Sequence, residues 1–168
     1  MRLLLNAYYK LLLVALGCLT AFIMVPVGLQ IIPRFTDVIP YYMWTEEISR
    51  FCLIWMIMLG STVAVRENTH FDIDLLPPAK TPLGALIGKL VVRAAILLFG
   101  IVFLVGSMEF AEYGSIMSSE ITDINLVWVY GVFPFAAAGW VAFTLEAIWD
   151  VVAGYRRAIS GQLVLAEG

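Results

Sequence analysis

Residues 44–75 read WTEEISRFCLIWMIMLGSTVAVRENTHFDIDL. Trp44, Glu46, Glu47 and Arg50 stand at the mouth of an apolar run, and Arg66, Glu67, His70, Asp72 and Asp74 close it. Uninterrupted apolar sequence covers only residues 51–65, too short to cross a bilayer alone. Starting the run at Trp44 gives a spanning helix, but it brings two acids and an arginine into the first turns. Charges so close to hydrocarbon are unfavourable without partners, so their placement sets the fold and hints at a purpose.

The rest of the chain agrees with a membrane reading. Of 168 residues, 62% are hydrophobic and 14% charged, where a soluble domain carries about 25% charge. The mean hydropathy is +0.94. Three further apolar runs cover residues 11–32, 86–108 and 126–152, beside the run at 44–65. Each reaches the length of about 20 residues that a spanning helix needs. The expected fold is an all-α integral membrane protein, a single domain over 1–168 with four transmembrane helices.

The first run could also be read as a signal peptide, since Arg2 and Lys10 precede it and ALGC surrounds Cys18. The apolar sequence continues fourteen residues past Cys18, too long for a signal core. Aromatic residues mark the boundaries elsewhere. Tyr41, Tyr42 and Trp44 cluster at one, and Trp128 and Trp149 bracket the fourth run. Those two tryptophans are 21 positions apart, about 31 Å at helical rise, close to the hydrocarbon thickness.

Basic residues set the expected orientation. Arg2, Lys10, Arg66, Lys80, Lys89, Arg93, Arg156 and Arg157 fall on one side, and only Arg34 and Arg50 on the other. Positive charge is retained inside, so both termini are expected in the cytoplasm of a bacterial inner membrane. Residues 106–124 carry Glu109, Glu112, Glu120 and Asp123 without a basic residue, and read as an outer loop.

Several function classes are disfavoured. No basic cluster points to nucleic acid. One histidine, His70, is too few for an intramembrane haem held by two axial ligands. Cys18 and Cys52 sit inside apolar runs and read as small buried hydrophobes. His70 with Asp72 and Asp74 forms only a weak metal motif, since Pro77 and Pro78 follow at once. No nucleophile–base pair lies within the spans, so the chain is not expected to be an enzyme. No span has a central ionisable residue, which argues against a complete ion carrier.

Glu46 and Arg50 are i,i+4, and Glu47 and Arg50 are i,i+3, so one arginine faces two acids and one carboxylate is left seeking a partner. That partner is either the interfacial environment or another helix. Glu146 and Asp150 are expected at the depth of Arg66, Lys89 and Arg93, where salt bridges between helices would tie the spans together. Gly60 with Ala64, and Ala138 with Ala142, are spaced for close helix approach.

The order Trp44, Glu46, Glu47, Arg50, Trp55, Leu59, Gly60, Ala64, Arg66, Glu67, His70 resembles the small membrane subunit of TRAP transporters (tripartite ATP-independent periplasmic), of the DctQ or SiaQ type. Gln30 and Arg34 ahead of the motif agree with it. The resemblance implies a large membrane subunit with an elevator-type transport domain as partner, and a periplasmic binding protein that delivers an organic acid, such as a C4-dicarboxylate or a sialic acid. It implies a sodium gradient as the driving force, with the ion and substrate sites on the large subunit and no cofactor here. The small subunit would brace the scaffold. Partner-contact or structural roles would then fall to Trp44, Glu46, Glu47, Arg50, Trp55, Gly60, Arg66, His70, Arg93, Glu146 and Asp150. Membrane lipids are the remaining partner. The competing reading is a small channel or carrier formed by self-association.

Overall fold

The computed structural model describes residues 2–35, 40, 42–67 and 82–166. Its helices are α1 (Arg2–Phe35), α2 (Met43–Glu67), α3 (Pro82–Ile116), the single turn α4 (Val127–Tyr130) and α5 (Val132–Ala166). Four of them are long and apolar enough to cross a membrane. Among the described residues the only β pairing is an isolated bridge between Ser118 and Asn125.

The helices outrun the apolar sequence. α3 and α5 each have 35 residues, roughly 52 Å at helical rise against about 30 Å of hydrocarbon. Their ends therefore stand in the headgroup layer or beyond it. This corrects the expected loop at 106–124. Glu109 and Glu112 lie on α3, which continues to Ile116 because glutamate is a good helix former and no proline interrupts. The turn itself is confined to residues 117–126. There Ser119 N–H donates to Ile124 O (2.9 Å) and Leu126 N–H to Met117 O (2.9 Å). Asp123 takes the positive φ of 54° that reverses the chain.

The fourth run is also divided. Pro134 has no N–H to offer Tyr130 O, and its ring crowds that carbonyl. The helix breaks one turn earlier, between Tyr130 and Val132, leaving α4 as a separate turn. α3 passes close to this point. A Cβ on Gly114 would stand 2.6 Å from Tyr130 Cδ2.

Packing runs in the order α1–α2–α5–α3, with α1 antiparallel to α2, α2 parallel to α5, and α5 antiparallel to α3. In the apolar window of α5, 44% of residues are buried, against 11% in those of α1 and α3. α5 is thus the hub, and α1 and α3 turn most of their apolar surface outward. Leu12, Leu59, Val63, Val132 and Phe143 form the core where α1, α2 and α5 meet. On the other side, Trp140 of α5 meets Phe99 (5.8 Å) and Phe103 (5.0 Å) of α3. Exposed Phe22, Met24, Leu98, Val102 and Val105 would be ruinous in water, and are ordinary in hydrocarbon.

Close approach comes from a different small residue than the sequence suggested. A Cβ on Gly139 would lie 2.7 Å from Thr62 Cγ2 and 3.0 Å from Tyr8 Oη, so this glycine lets α1, α2 and α5 converge. Gly60 has nothing within 4 Å of its missing Cβ.

Candidate functional site

The charged side chains gather in two belts, one at each end of the bundle, and the stretches between them hold no Asp, Glu, Lys or Arg.

The first belt surrounds the start of α2. Thr45 Oγ1 donates to Tyr42 O (2.7 Å) and holds the first turn. Gln30 of α1 donates through Nε2 to Thr45 O (2.9 Å) and Ser49 Oγ (2.8 Å), which joins α1 to α2. Glu46 and Arg50 pair at 3.6 Å with both side chains more than half exposed, so the pair faces outward. Trp44 is also exposed, with its ring 6.2 Å from that of Tyr42.

Glu47 turns the other way. Its carboxylate accepts hydrogen bonds from Ser119 Oγ, Thr122 N–H (3.1 Å) and Thr122 Oγ1 (2.7 Å). The surplus acid of the motif therefore has its partner in the 117–126 turn, and Arg50 answers to Glu46. A carboxylate accepting several bonds at once is a strong clasp, since charge-assisted hydrogen bonds exceed neutral ones. Trp55, further along α2, donates its indole N–H to Trp128 O (3.0 Å) and fastens α4.

The second belt lies at the opposite end, where α2 finishes and α5 runs outward. Arg66 donates to Glu146 at 2.6 Å, with side-chain exposures of 20% and 12%. It donates to Asn6 Oδ1 as well. Its guanidinium lies over the rings of Tyr9 (5.4 Å) and Phe143 (4.8 Å), which adds cation–π attraction. Tyr9 donates its hydroxyl to Glu67. Three helices are thus joined through one arginine. An open groove of about 550 Å³ lies beside it, lined in part by Asn6, Arg66, Arg93, Glu146 and Asp150.

The expected bridge from α2 to α5 is present as Arg66–Glu146. Arg93 and Asp150 share the groove. His70, Asp72 and Asp74 lie outside the described residues. Sequence reasoning did not single out Asn6, Tyr9, Ser119 and Thr122 as partners. Neutral polar side chains on long helices or in a turn carry no periodic signal that separates them from solvated ones.

The family model described as tripartite ATP-independent periplasmic transporters, DctQ component, matches residues 23–154. A protein of Haemophilus influenzae, named "Putative TRAP transporter small permease protein", is 35% identical over 63 residues. That alignment covers 38% of this chain and 39% of the relative's length.

Proposed function

Because the chain belongs to the DctQ family of TRAP transporters, as a multi-pass small permease subunit of the inner membrane, we propose that it acts as the fixed scaffold against which a larger membrane subunit moves. The transport is sodium-driven uptake of an organic acid, of the C4-dicarboxylate or sialic-acid type. A periplasmic binding protein delivers the substrate. The large subunit holds the substrate and sodium sites, and this chain contributes neither a cofactor nor catalysis. Both termini lie in the cytoplasm, following the eight-to-two distribution of basic residues.

The observation that carries this reading is the separation of the two charged belts by a middle that holds no Asp, Glu, Lys or Arg. A transport path requires polar groups or broken backbone near the bilayer midplane. Here the polar groups instead join helix to helix at the two ends, as a rigid brace requires. Trp44, Glu46, Arg50 and Gly60 face away from the bundle and suit contact with the large subunit.

The test is reconstitution. The large subunit and binding protein are placed in liposomes with and without this chain, and uptake of candidate organic acids is followed under an inward sodium gradient. The expected result is uptake only when all three proteins are present. Full uptake without this chain, or uptake by this chain alone, overturns the proposal.

A further inference from the structure

The groove at the second belt has a charge pattern that bracing does not require. All four long helices contribute to it, Asn6 from α1, Arg66 from α2, Arg93 from α3, and Glu146, Ala147 and Asp150 from α5. Its volume of about 550 Å³ falls within the range of small-molecule sites. Ala147 leaves the α5 wall low, while the ring contact of Tyr8 with Phe143 (5.5 Å) packs α1 against α5 further in. Trp149, on the same turn of α5 as Asp150, is 68% exposed, and a tryptophan so placed marks headgroup depth.

We propose that this groove binds the headgroup of a zwitterionic aminophospholipid, of the phosphatidylethanolamine type. Two guanidiniums and two carboxylates line it, so its formal charge is zero. A basic pocket at this depth would select anionic lipids. A balanced one favours a ligand that carries both signs. Arg93 takes the phosphate, because it lines the groove beside Asp150 and a guanidinium offers five N–H donors in a planar fork that matches phosphate oxygens. The ammonium is accepted by Asp150 and by lone pairs of Glu146 that Arg66 leaves available. Arg66 itself is held by Glu146, Asn6 and two rings, and shapes the site without binding the phosphate. The primary ammonium matters, because a choline headgroup offers no N–H donor to the carboxylates. Acyl chains then lie along the apolar outer surfaces of α3 and α5, where Val91, Leu98 and Leu145 are exposed.

The experiment uses the full chain, purified and delipidated in detergent. Lipid retention is read by native mass spectrometry and thermal stability by melting. The probes are phosphatidylethanolamine, phosphatidylcholine, phosphatidylglycerol and soluble phosphoethanolamine. Phosphatidylethanolamine should be retained about tenfold over the other two lipids, the ratio expected from one charge-assisted hydrogen bond. Phosphoethanolamine without acyl chains should produce no melting shift at the same concentration. Arg93→Gln should abolish the preference, whereas Glu112→Gln, at the far end of α3, should keep it. Equal retention of the three lipids, a preference for phosphatidylglycerol, or a stabilisation by phosphoethanolamine equal to that by the lipid each overturns the proposal. If Arg93→Gln lowers folding yield, the selectivity of the unaltered chain decides the matter by itself.

Discussion

Arg66 on α2 donates to Glu146 on α5 at 2.6 Å, across 80 residues of chain, and the pair is largely shielded from solvent. The Coulomb attraction of such a pair is offset by the desolvation of both charges, so its importance shows when one partner is lost. Removing one member of a buried pair leaves an uncompensated charge and costs about 3–5 kcal/mol. Glu146→Gln should therefore lower the melting temperature of the chain sharply. Arg66→Gln with Glu146→Gln should be milder than the sum of the single changes, because neither charge is left alone. A double-mutant cycle in detergent checks this, and strict additivity would sink the coupling.

Glu47 makes a separate prediction at the opposite end. Its carboxylate gathers three hydrogen bonds from Ser119 and Thr122, so it holds the 117–126 turn onto α2. Hydrogen bonds to a charged group contribute about 1.5–3 kcal/mol each, though the three share one carboxylate and do not add. Glu47→Ala should speed amide exchange at Thr122 by roughly tenfold or more, on the low end of that range. Exchange elsewhere in α2 should hardly change. Unchanged protection at Thr122 would mean the turn holds itself.

The neighbouring Glu46–Arg50 pair should behave oppositely. Both side chains are more than half exposed, and exposed pairs contribute only about 0–1 kcal/mol. Arg50→Gln should leave the melting of the isolated chain almost unaltered. If the pair meets the large subunit, as proposed, the same change should reduce co-purification of the two proteins. A large loss of stability without any loss of association would place Arg50 inside this chain's own fold instead.

The sequence made the fold readable to different depths at different places. Four apolar runs and the tryptophan boundaries were visible because hydrocarbon imposes a length on them. Arg66–Glu146 was readable because few charges exist at that depth to satisfy one another. The end of α3 departs from the sequence expectation because acidic residues suggest a loop, while helix propensity is indifferent to whether the next layer is water. The clasp between Glu47 and the turn could not be seen, because it joins residues 72 and 75 positions apart and depends on how α3 and α5 are joined. The break before Val132 was latent in Pro134, but its consequence one turn upstream needed the helix to be placed first.

Gly139 and Gly60 separate what holds this chain together from what it offers outward. Gly139 sits where a Cβ would meet Thr62 Cγ2 at 2.7 Å, so Gly139→Ala must push α2 and α5 apart or displace Tyr8. Overpacking of this kind costs about 1–3 kcal/mol, more than the roughly 0.5–1 kcal/mol gained from replacing a helical glycine by alanine. Gly139→Ala should therefore destabilise the isolated chain. Gly60 faces open space, so Gly60→Ala should leave stability unchanged or raise it by that same small helical gain, about 0.5–1 kcal/mol. Gly60→Leu separates the two roles further, since it adds bulk only on the outward face of α2. It should leave melting close to that of the parent while weakening association with the large subunit, and measuring both on one preparation decides it. Normal association with Gly60→Leu would remove this face of α2 from the proposed interface.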